Sequence, residues 1–185
     1  VILHLLRHGQ SVWNVEERVQ GQTHHVPLTA DGVRQAREAR ERLAGVPLAA
    51  VLSSDQVRAR QTADVVAEAH GLPVRETTLL REQGLGSLEG KHYSELEEEA
   101  TPEGAHVSEV RWGGGESMAD VAARLRVLVD ELRAEFADDD QVLLVSHGDT
   151  LRILLAILDG GGHRDVDWVT CITWPNGHIE TRLLA

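Results

Sequence analysis

The fold of this chain is decided by residues 2–9, which read ILHLLRHG. Residues 2–6 are mostly apolar, and a run of this length is typical of a buried β-strand. Arg7, His8 and Gly9 follow at once, and the glycine lets the chain turn sharply with backbone N–H groups facing a ligand. The stretch therefore predicts a strand that carries two ionisable side chains to its carboxyl end.

Two further predicted strands end in a similar way. Residues 49–52 are followed by SSD at 53–55 with Arg58 one helical turn later, and residues 142–145 are followed by SHG at 146–148. In open α/β sheets, ligands bind outside the carboxyl ends of the strands. We therefore expect these polar segments to meet in one crevice.

Strands and helices alternate along the chain, which predicts an α/β fold with a mostly parallel sheet and helices on both faces. The predicted elements are a strand at 2–6, a helix at 30–43 with Thr29 as N-cap, a strand at 49–52, a helix from a Ser53/Gln56 capping box to about residue 68, a strand at 74–77, a short helix at 93–100, an amphipathic helix capped by Ser117, a strand at 142–145, a helix at 150–158, and a final hairpin of strands at 168–174 and 178–183.

Length and charge limit the classes of function. The 185 residues fit a single domain, with no linker or repeat to divide it. A net charge of −12 disfavours nucleic acid and anionic membranes as partners, because both reward a basic surface. The apolar runs fall short of the roughly 20 residues of a membrane helix, and residues 1–6 do not resemble a signal peptide. We therefore expect a cytoplasmic protein.

The strand-end side chains suit phosphoryl transfer. Imidazole is largely neutral near pH 7, so His8 can act as a nucleophile without a separate base, and a second histidine, His147, can donate a further hydrogen bond. Arg7 and Arg58 offer guanidinium forks for the oxygens of a phosphoryl group, so no metal is required. The leaving oxygen needs a proton, and Glu82 is the candidate donor, although spacing alone does not select it from 30 acidic residues.

Several motifs in order resemble the histidine phosphatase superfamily, which has the phosphoglycerate mutase-like fold. They are RHGQSVWN at 7–14, QG at 20–21, PLTADG at 27–32, SSDQVRARQTA at 53–63, LREQGLGSLEG at 80–90, GGES at 114–117 and SHG at 146–148. The resemblance implies a three-layer α/β/α sandwich with a mixed sheet. It also implies one domain over 1–185, with a small insert at about 90–116 that covers the active site.

The resemblance further implies a role for each matching residue. His8 would be the phosphorylated nucleophile, and Glu82 would protonate the leaving oxygen and then activate water. The remaining implied site residues, which would hold the phosphoryl group or line the pocket, are Arg7, Arg58, His147, Gly148, Asn14, Gln20 and Gly21. The family implies neither a metal nor an organic cofactor for hydrolysis.

The sequence favours a phosphatase over its alternatives without excluding them. Mutases of this fold carry extra basic residues in the insert after the acid-bearing loop. Here that insert contains ELEEE at 95–99, and Lys91 and Arg111 are its only Lys or Arg residues. We expect a small phosphomonoester substrate with a largely neutral or sugar-like body. A phosphoglycerate mutase-type phosphotransferase and a non-catalytic phospho-ligand binding module remain alternatives. The sequence departs from the family pattern at two places: His24 and His25 stand where many relatives have a single Asp, and Asp149 adds a negative charge beside the phosphate pocket. Both departures bear on the identity of the substrate. The sequence leaves the oligomeric state open.

Overall fold

A computed structural model of the protein describes residues 1–97, 100–166 and 174–184. These residues form five strands, β1 Ile2–Arg7, β2 Leu48–Ser53, β3 Val74–Glu76, β4 Gln141–Ser146 and β5 Ile179–Leu183. They also form five α-helices, α1 Val12–Val15, α2 Ala30–Leu43, α3 Val57–His70, α4 Met118–Glu135 and α5 Gly148–Leu158. Short 3₁₀ helices at Thr78–Leu80, Gly86–Leu88, Tyr93–Glu95, Val107–Glu109 and Trp112–Gly114 complete the described elements.

The five described strands form one mixed sheet in the order β3-β2-β4-β1-β5. Every neighbouring pair is parallel except β1 with β5, which is antiparallel. In the pairing of β1 with β4, Arg7 lies opposite Ser146. The two histidine-glycine segments therefore leave the sheet side by side, as the shared-crevice prediction requires.

Helices cover both faces of the sheet, which confirms the three-layer α/β/α sandwich. Strand side chains alternate between the faces, so Leu5 and Leu144 pack in the cluster that contains α4 and α5, whereas Leu6 and Val145 pack in the cluster that contains α2 and α3. Burial of apolar surface on both faces is the main force that stabilises such a sheet.

The helix after β2 begins later than the predicted capping box. Ser53 is the last residue of β2, and its hydroxyl donates to the Ser54 carbonyl at 2.8 Å. Helix α3 starts at Val57, and the N-cap residue Gln56 makes no capping hydrogen bond with its side chain. The capping-box prediction was wrong because sheet pairing extends β2 through Ser53, and Gln56 bonds to distant loops instead.

The region after residue 90 also differs from the sequence prediction. Of the predicted helix at 93–100, the structure forms only the 3₁₀ turn Tyr93–Glu95, capped by His92, while residues 98 and 99 lie outside the described range. Of the predicted strand at 168–174, only Trp174 is described, and it is not in a strand. The strand predicted at 178–183 is β5, which pairs with β1. No helix in the described ranges combines the length and apolar character needed to span a bilayer.

Candidate active site

His8 lies directly after β1 and is 2% exposed. Its Nδ1 is 2.6 Å from the carbonyl oxygen of Gly9. A carbonyl only accepts, so Nδ1 carries the proton and Nε2 is left with its lone pair. Burial, and then the charges of Arg58 and Arg7, hold the pKa of His8 well below its ordinary value. The ring is therefore neutral near pH 7 and has one unprotonated nitrogen.

His147, at the end of β4, stands beside His8 with 5.1 Å between the ring centroids. Its Nε2 is 2.9 Å from Oγ of Ser54, while its Nδ1 is buried and has no hydrogen-bond partner among the described residues. Burial, and next the charge of Arg58, also hold the pKa of His147 well below its ordinary value. The pair is thus two neutral imidazoles, fixed by neighbouring strand ends.

Arg58 projects from the first turn of α3 and is fully buried. Its terminal nitrogens donate to the carbonyls of Thr23 and Gly21, each at 2.9 Å. Burial lowers the pKa of Arg58 to about 10. Burial lowers the pKa of Arg7 as well, against the opposing charges of Glu82 and Asp149. Both guanidinium groups remain charged near pH 7, so the site concentrates positive charge in a chain of net charge −12.

The Glu82 carboxyl group faces the beginning of α5. Its Oε1 accepts from Gln83 N–H at 3.0 Å, Thr150 N–H at 3.1 Å and Thr150 Oγ1 at 3.0 Å. Its Oε2 has only a long contact of 3.4 Å with the N–H of Asp149. The donors at a helix N-terminus stabilise negative charge there. Oε2 is therefore the oxygen with room to exchange a proton.

The loop that carries Glu82 is fixed by two side chains from other elements. Gln56 accepts from the N–H of Glu82 at 2.8 Å through Oε1 and donates to Gly21 O at 2.9 Å through Nε2. Arg124 of α4 donates to the carbonyl of Glu82 at 3.1 Å. The Gln56 bonds tie the loops near residues 21 and 82 to the N-terminus of α3, the helix that carries Arg58, and the Arg124 bond ties the Glu82 loop to α4.

These side chains surround a cavity of about 350 Å³, here called the main cavity. Its lining consists of Arg7, His8, Asn14, Val19, Gln20, Gly21, Arg58, Glu82, Leu85, Tyr93, Leu96, Gly148, Asp149 and Arg152. The structure thus brings together every site residue expected from the sequence except His147, which is fully buried next to His8 but does not line the cavity. In the described ranges, no three His, Cys, Asp or Glu side chains are grouped as a metal site.

Of the remaining lining residues, the sequence indicates Asp149 as an added negative charge beside the phosphate pocket, whereas Arg152, Tyr93 and Leu96 were not predicted as site residues. Asp149 and Arg152 form an ion pair at 2.8 Å on α5. Burial, and next the carboxylate of Glu82, raise the pKa of Asp149 to about 6. Tyr93 and Leu96 reach the cavity from the segment after residue 90, where the local pattern carries no signal for a site. His24 and His25 are exposed and do not line the cavity.

Two adjacent parallel strands, β1 and β4, place two histidines and an arginine at or beside one cavity, and this arrangement defines an enzyme-like site for an oxyanion. The profile of the histidine phosphatase superfamily (branch 1) matches residues 3–179, and the chain belongs to that family. Membership identifies it as an enzyme of the phosphatase class.

Relatives with similar sequences are named as mutases. The probable phosphoglycerate mutase GpmB of Klebsiella pneumoniae is 36% identical over 168 residues, which cover 85% of this chain and 74% of the relative. The protein of the same name from Proteus mirabilis is 38% identical over 168 residues, with the same coverage.

Solved structures with similar folds carry phosphatase names. The mycobacterial glucosyl-3-phosphoglycerate phosphatase in complex with VO3 superimposes with a TM-score of 0.83 at 35% identity, covering 97% of this chain and 90% of that one. A putative alpha-ribazole-5'-P phosphatase from Escherichia coli K-12 gives a TM-score of 0.82 at 27% identity, covering 98% and 89%. The fold therefore agrees with the phosphoglycerate mutase-like sandwich expected from the sequence.

Proposed function

We propose that this protein is a metal-independent phosphomonoesterase that hydrolyses a small phosphorylated metabolite through a phosphohistidine on Nε2 of His8. The observation that carries the proposal is the hydrogen bond from Nδ1 of His8 to the Gly9 carbonyl. It fixes the tautomer, so the unprotonated Nε2 is available for attack without a general base.

Two guanidinium groups and one imidazole would hold the transferring group. Arg7 and Arg58 line the main cavity, and the buried Nε of each has no hydrogen-bond partner among the described residues. The buried Nδ1 of His147 likewise has none there. Buried donors of this kind are costly unless a ligand satisfies them. Three phosphoryl oxygens supply the acceptors, and the charge that develops on them is stabilised by donors already in position.

Glu82 would act twice. In the first step Nε2 of His8 bonds to phosphorus, the bond from phosphorus to the ester oxygen breaks, and the Glu82 carboxyl gives its proton to that oxygen. In the second step the Glu82 carboxylate takes a proton from water, whose oxygen attacks phosphorus as the bond to Nε2 breaks. Inorganic phosphate leaves, and His8 returns to its neutral form.

The charges of the cavity favour hydrolysis over a mutase reaction. A mutase for phosphoglycerate must also bind the substrate carboxylate. Neither Lys91 nor Arg111 is among the residues found to line the main cavity, and Arg111 instead pairs with Asp120 at 2.8 Å. The third lining arginine, Arg152, is paired with Asp149. The two positive charges of Arg7 and Arg58 balance one phosphate dianion. Among the described lining residues, no further arginine or lysine without an ion-pair partner is then left for a substrate carboxylate.

A trapping experiment tests the nucleophile. The enzyme is mixed with a ³²P-labelled phosphomonoester, quenched in alkali, and the labelled residue is identified by peptide mapping. We expect acid-labile label on His8, no label and no turnover in His8→Ala, and normal labelling in the control His163→Ala, which lies outside the main cavity. Turnover should survive EDTA. Activity that persists in His8→Ala would remove the proposal.

The products separate hydrolase from mutase. With 3-phosphoglycerate as substrate, we expect either no reaction or release of inorganic phosphate. Quantitative conversion to an isomer without free phosphate would establish the mutase instead.

Glu82→Gln tests the proton donor through the leaving group. For an alkyl phosphate we expect kcat/KM to fall about 10²- to 10⁴-fold, because an alkoxide needs the proton. For p-nitrophenyl phosphate, whose leaving group is stable as an anion, the loss should stay below about tenfold. Equal losses with both esters would show that Glu82 is not the acid.

A further inference from the structure

A second cavity adjoins the main cavity and is lined almost entirely by apolar side chains. This side cavity has a volume of about 270 Å³ and is lined by Leu85, Leu88, Leu96, Glu97 and Trp112. Leu85 and Leu96 also line the main cavity, so the two spaces share a wall. The side cavity therefore lies beside the space that a phosphate ester bound in the main cavity would occupy.

The wall of the side cavity is built by close backbone packing between two 3₁₀ helices, Gly86–Leu88 and Trp112–Gly114. A Cβ atom on Gly86 would lie 2.1 Å from the carbonyl oxygen of Gly113, and one on Gly113 would lie 2.2 Å from the carbonyl oxygen of Leu85. The approach is possible only with glycine at both positions, which have φ of +51° and +60°. The packing holds Leu88 and Trp112 in fixed relative positions, so the side cavity is a formed feature of the fold.

The chemistry of the lining selects the occupant. Three leucines and a tryptophan favour hydrocarbon, and burial of each methylene is favourable. The one charged residue in the lining, Glu97, repels a second anionic group on the ligand. Leu96 is 39% exposed. Contact with an apolar ligand would remove this exposed apolar surface from water, which is favourable.

We propose that the side cavity binds the carbon body of the substrate, and that this body is an uncharged apolar group such as an alkyl chain or an aromatic ring. The inference rests on the proposed phosphomonoesterase function and names its substrate class. Esters that carry a carboxylate next to the phosphate, or a body made only of hydroxylated carbons, fit this lining poorly.

A series of n-alkyl phosphates tests the proposal, because ethyl, butyl and hexyl phosphate share one leaving-group chemistry and differ only in apolar length. We expect kcat/KM for phosphate release to rise about threefold per added methylene until the side cavity is filled. A wild-type hexyl-to-ethyl ratio near one would overturn the proposal.

Matched leucine variants locate the effect. Leu88→Asn places a polar group in the side cavity and should lower the hexyl-to-ethyl ratio about tenfold. Leu183→Asn makes the same change at an exposed leucine of β5 and should leave that ratio at its wild-type value. If Leu88→Asn does not fold, Trp112→Gln, which also places a polar group in the side cavity, serves in its place and should lower the ratio in the same direction. A ratio that falls equally in Leu88→Asn and Leu183→Asn would contradict the assignment.

Binding of ethyl- and hexylphosphonate, measured by calorimetry, separates this proposal from the proposed function. These compounds are not hydrolysed and share one anionic head group, so the ratio of their affinities reports the contribution of the alkyl chain in the side cavity. Tighter binding of hexylphosphonate without turnover of any ester would reject the phosphomonoesterase and retain the apolar site. Turnover of ethyl and hexyl phosphate at equal rates, with equal phosphonate affinities, would reject the apolar site and retain the enzyme.

Discussion

At the scale of single residues, the hydroxyl group of Ser54 determines what His147 can offer a ligand. The N–H of Gln56 donates to Ser54 Oγ at 3.3 Å, and Nε2 of His147 lies 2.9 Å from the same oxygen. If Ser54 donates its proton to Nε2, the ring proton resides on Nδ1, the nitrogen without a partner among the described residues. Ser54 is then a positioning residue for a histidine that donates to phosphate.

Removal of that hydroxyl should weaken catalysis without unfolding the protein. For Ser54→Ala we expect kcat/KM to fall about tenfold, the order of one hydrogen bond in a charged site, with most of the loss in kcat. Ser53→Ala is the matched control, since Ser53 is equally buried and donates to the Ser54 carbonyl rather than to His147. Equal losses in the two variants would indicate a structural effect, contrary to the assignment.

We expect Asp149 to make the affinity for a dianionic ligand depend on pH. The groups that face it are Glu82, Arg7 and Arg152, and its pKa is raised to about 6. It is neutral below that pH and gains a negative charge beside the cavity as the pH rises through 6. Between pH 5 and 7.5 we expect the wild-type KM to rise roughly fivefold relative to that of Asp149→Asn, the size of a partly screened charge interaction.

The comparison is made as a ratio at each pH, so that ionisation of the substrate cancels. Asp130→Asn, an exposed substitution on α4, is the control and should follow the wild type at every pH. A ratio of wild-type to Asp149→Asn values that is constant across the range would show that Asp149 does not titrate near 6.

Local sequence predicted some of these residues and not others. His8, Arg7 and His147 stand next to strand ends, so strand prediction alone brings them together. Glu82 was identified through family resemblance, because its position depends on bonds from Gln56 and Arg124, which are distant in sequence. Nothing within the local pattern of residues 80–90 encodes those bonds.

At the scale of elements, the loop after β1 rests directly on the first turn of α2. A Cβ atom on Gly32 would lie 2.1 Å from the carbonyl oxygen of Gln10, and one on Gly9 would lie 2.3 Å from the carbonyl oxygen of Gly32. Helix propensity favours alanine over glycine by about 1 kcal/mol at a helical position. Packing opposes it here, because the obstructing atoms are backbone.

We expect packing to prevail. Gly32→Ala should lower the free energy of unfolding by about 1–3 kcal/mol, as overpacking does, and reduce kcat by displacing the loop that carries His8. Gly45→Ala, where an added Cβ would have no neighbouring atom within 4 Å, should change stability by less than about 0.5 kcal/mol. Urea titrations of both variants supply the measurement, and a stabilised Gly32→Ala would contradict the packing argument.

The elements themselves were predictable where the local signals agree with tertiary packing. Helix α2 has the predicted bounds and the Thr29 cap, and Ser117 caps α4 through a capping box with Asp120. The box expected at Ser53 did not form because the same residue pairs in the sheet. In the described part of the helix predicted at 93–100, the chain forms the 3₁₀ turn Tyr93–Glu95, and Tyr93 and Leu96 line the main cavity instead of packing in a core.

At the scale of the whole molecule, the site exists only when the chain is folded. It joins residues from the end of β1, the start of α3, the loop at residue 82 and the start of α5, and it buries two arginines in a chain of net charge −12. The strand order β3-β2-β4-β1-β5, which brings these parts together, is a tertiary property that local periodicity does not specify. Burial of the two guanidinium groups costs stability, and we expect a bound oxyanion to recover part of it.

Inorganic phosphate or vanadate should therefore stabilise the native protein by mass action. At a concentration 100 times its Kd, a ligand of the folded state adds about 2.7 kcal/mol, which for a chain of this length raises Tm by roughly 5–10 °C. We expect Arg58→Gln to lose most of this ligand-induced shift, since it removes a buried guanidinium of the cavity. Arg60→Gln, on the same helix but exposed and paired with Asp64, should retain the full shift. Because any general effect of the salt on stability acts equally on the two variants, an equal shift in both would show that the anion does not bind at Arg58.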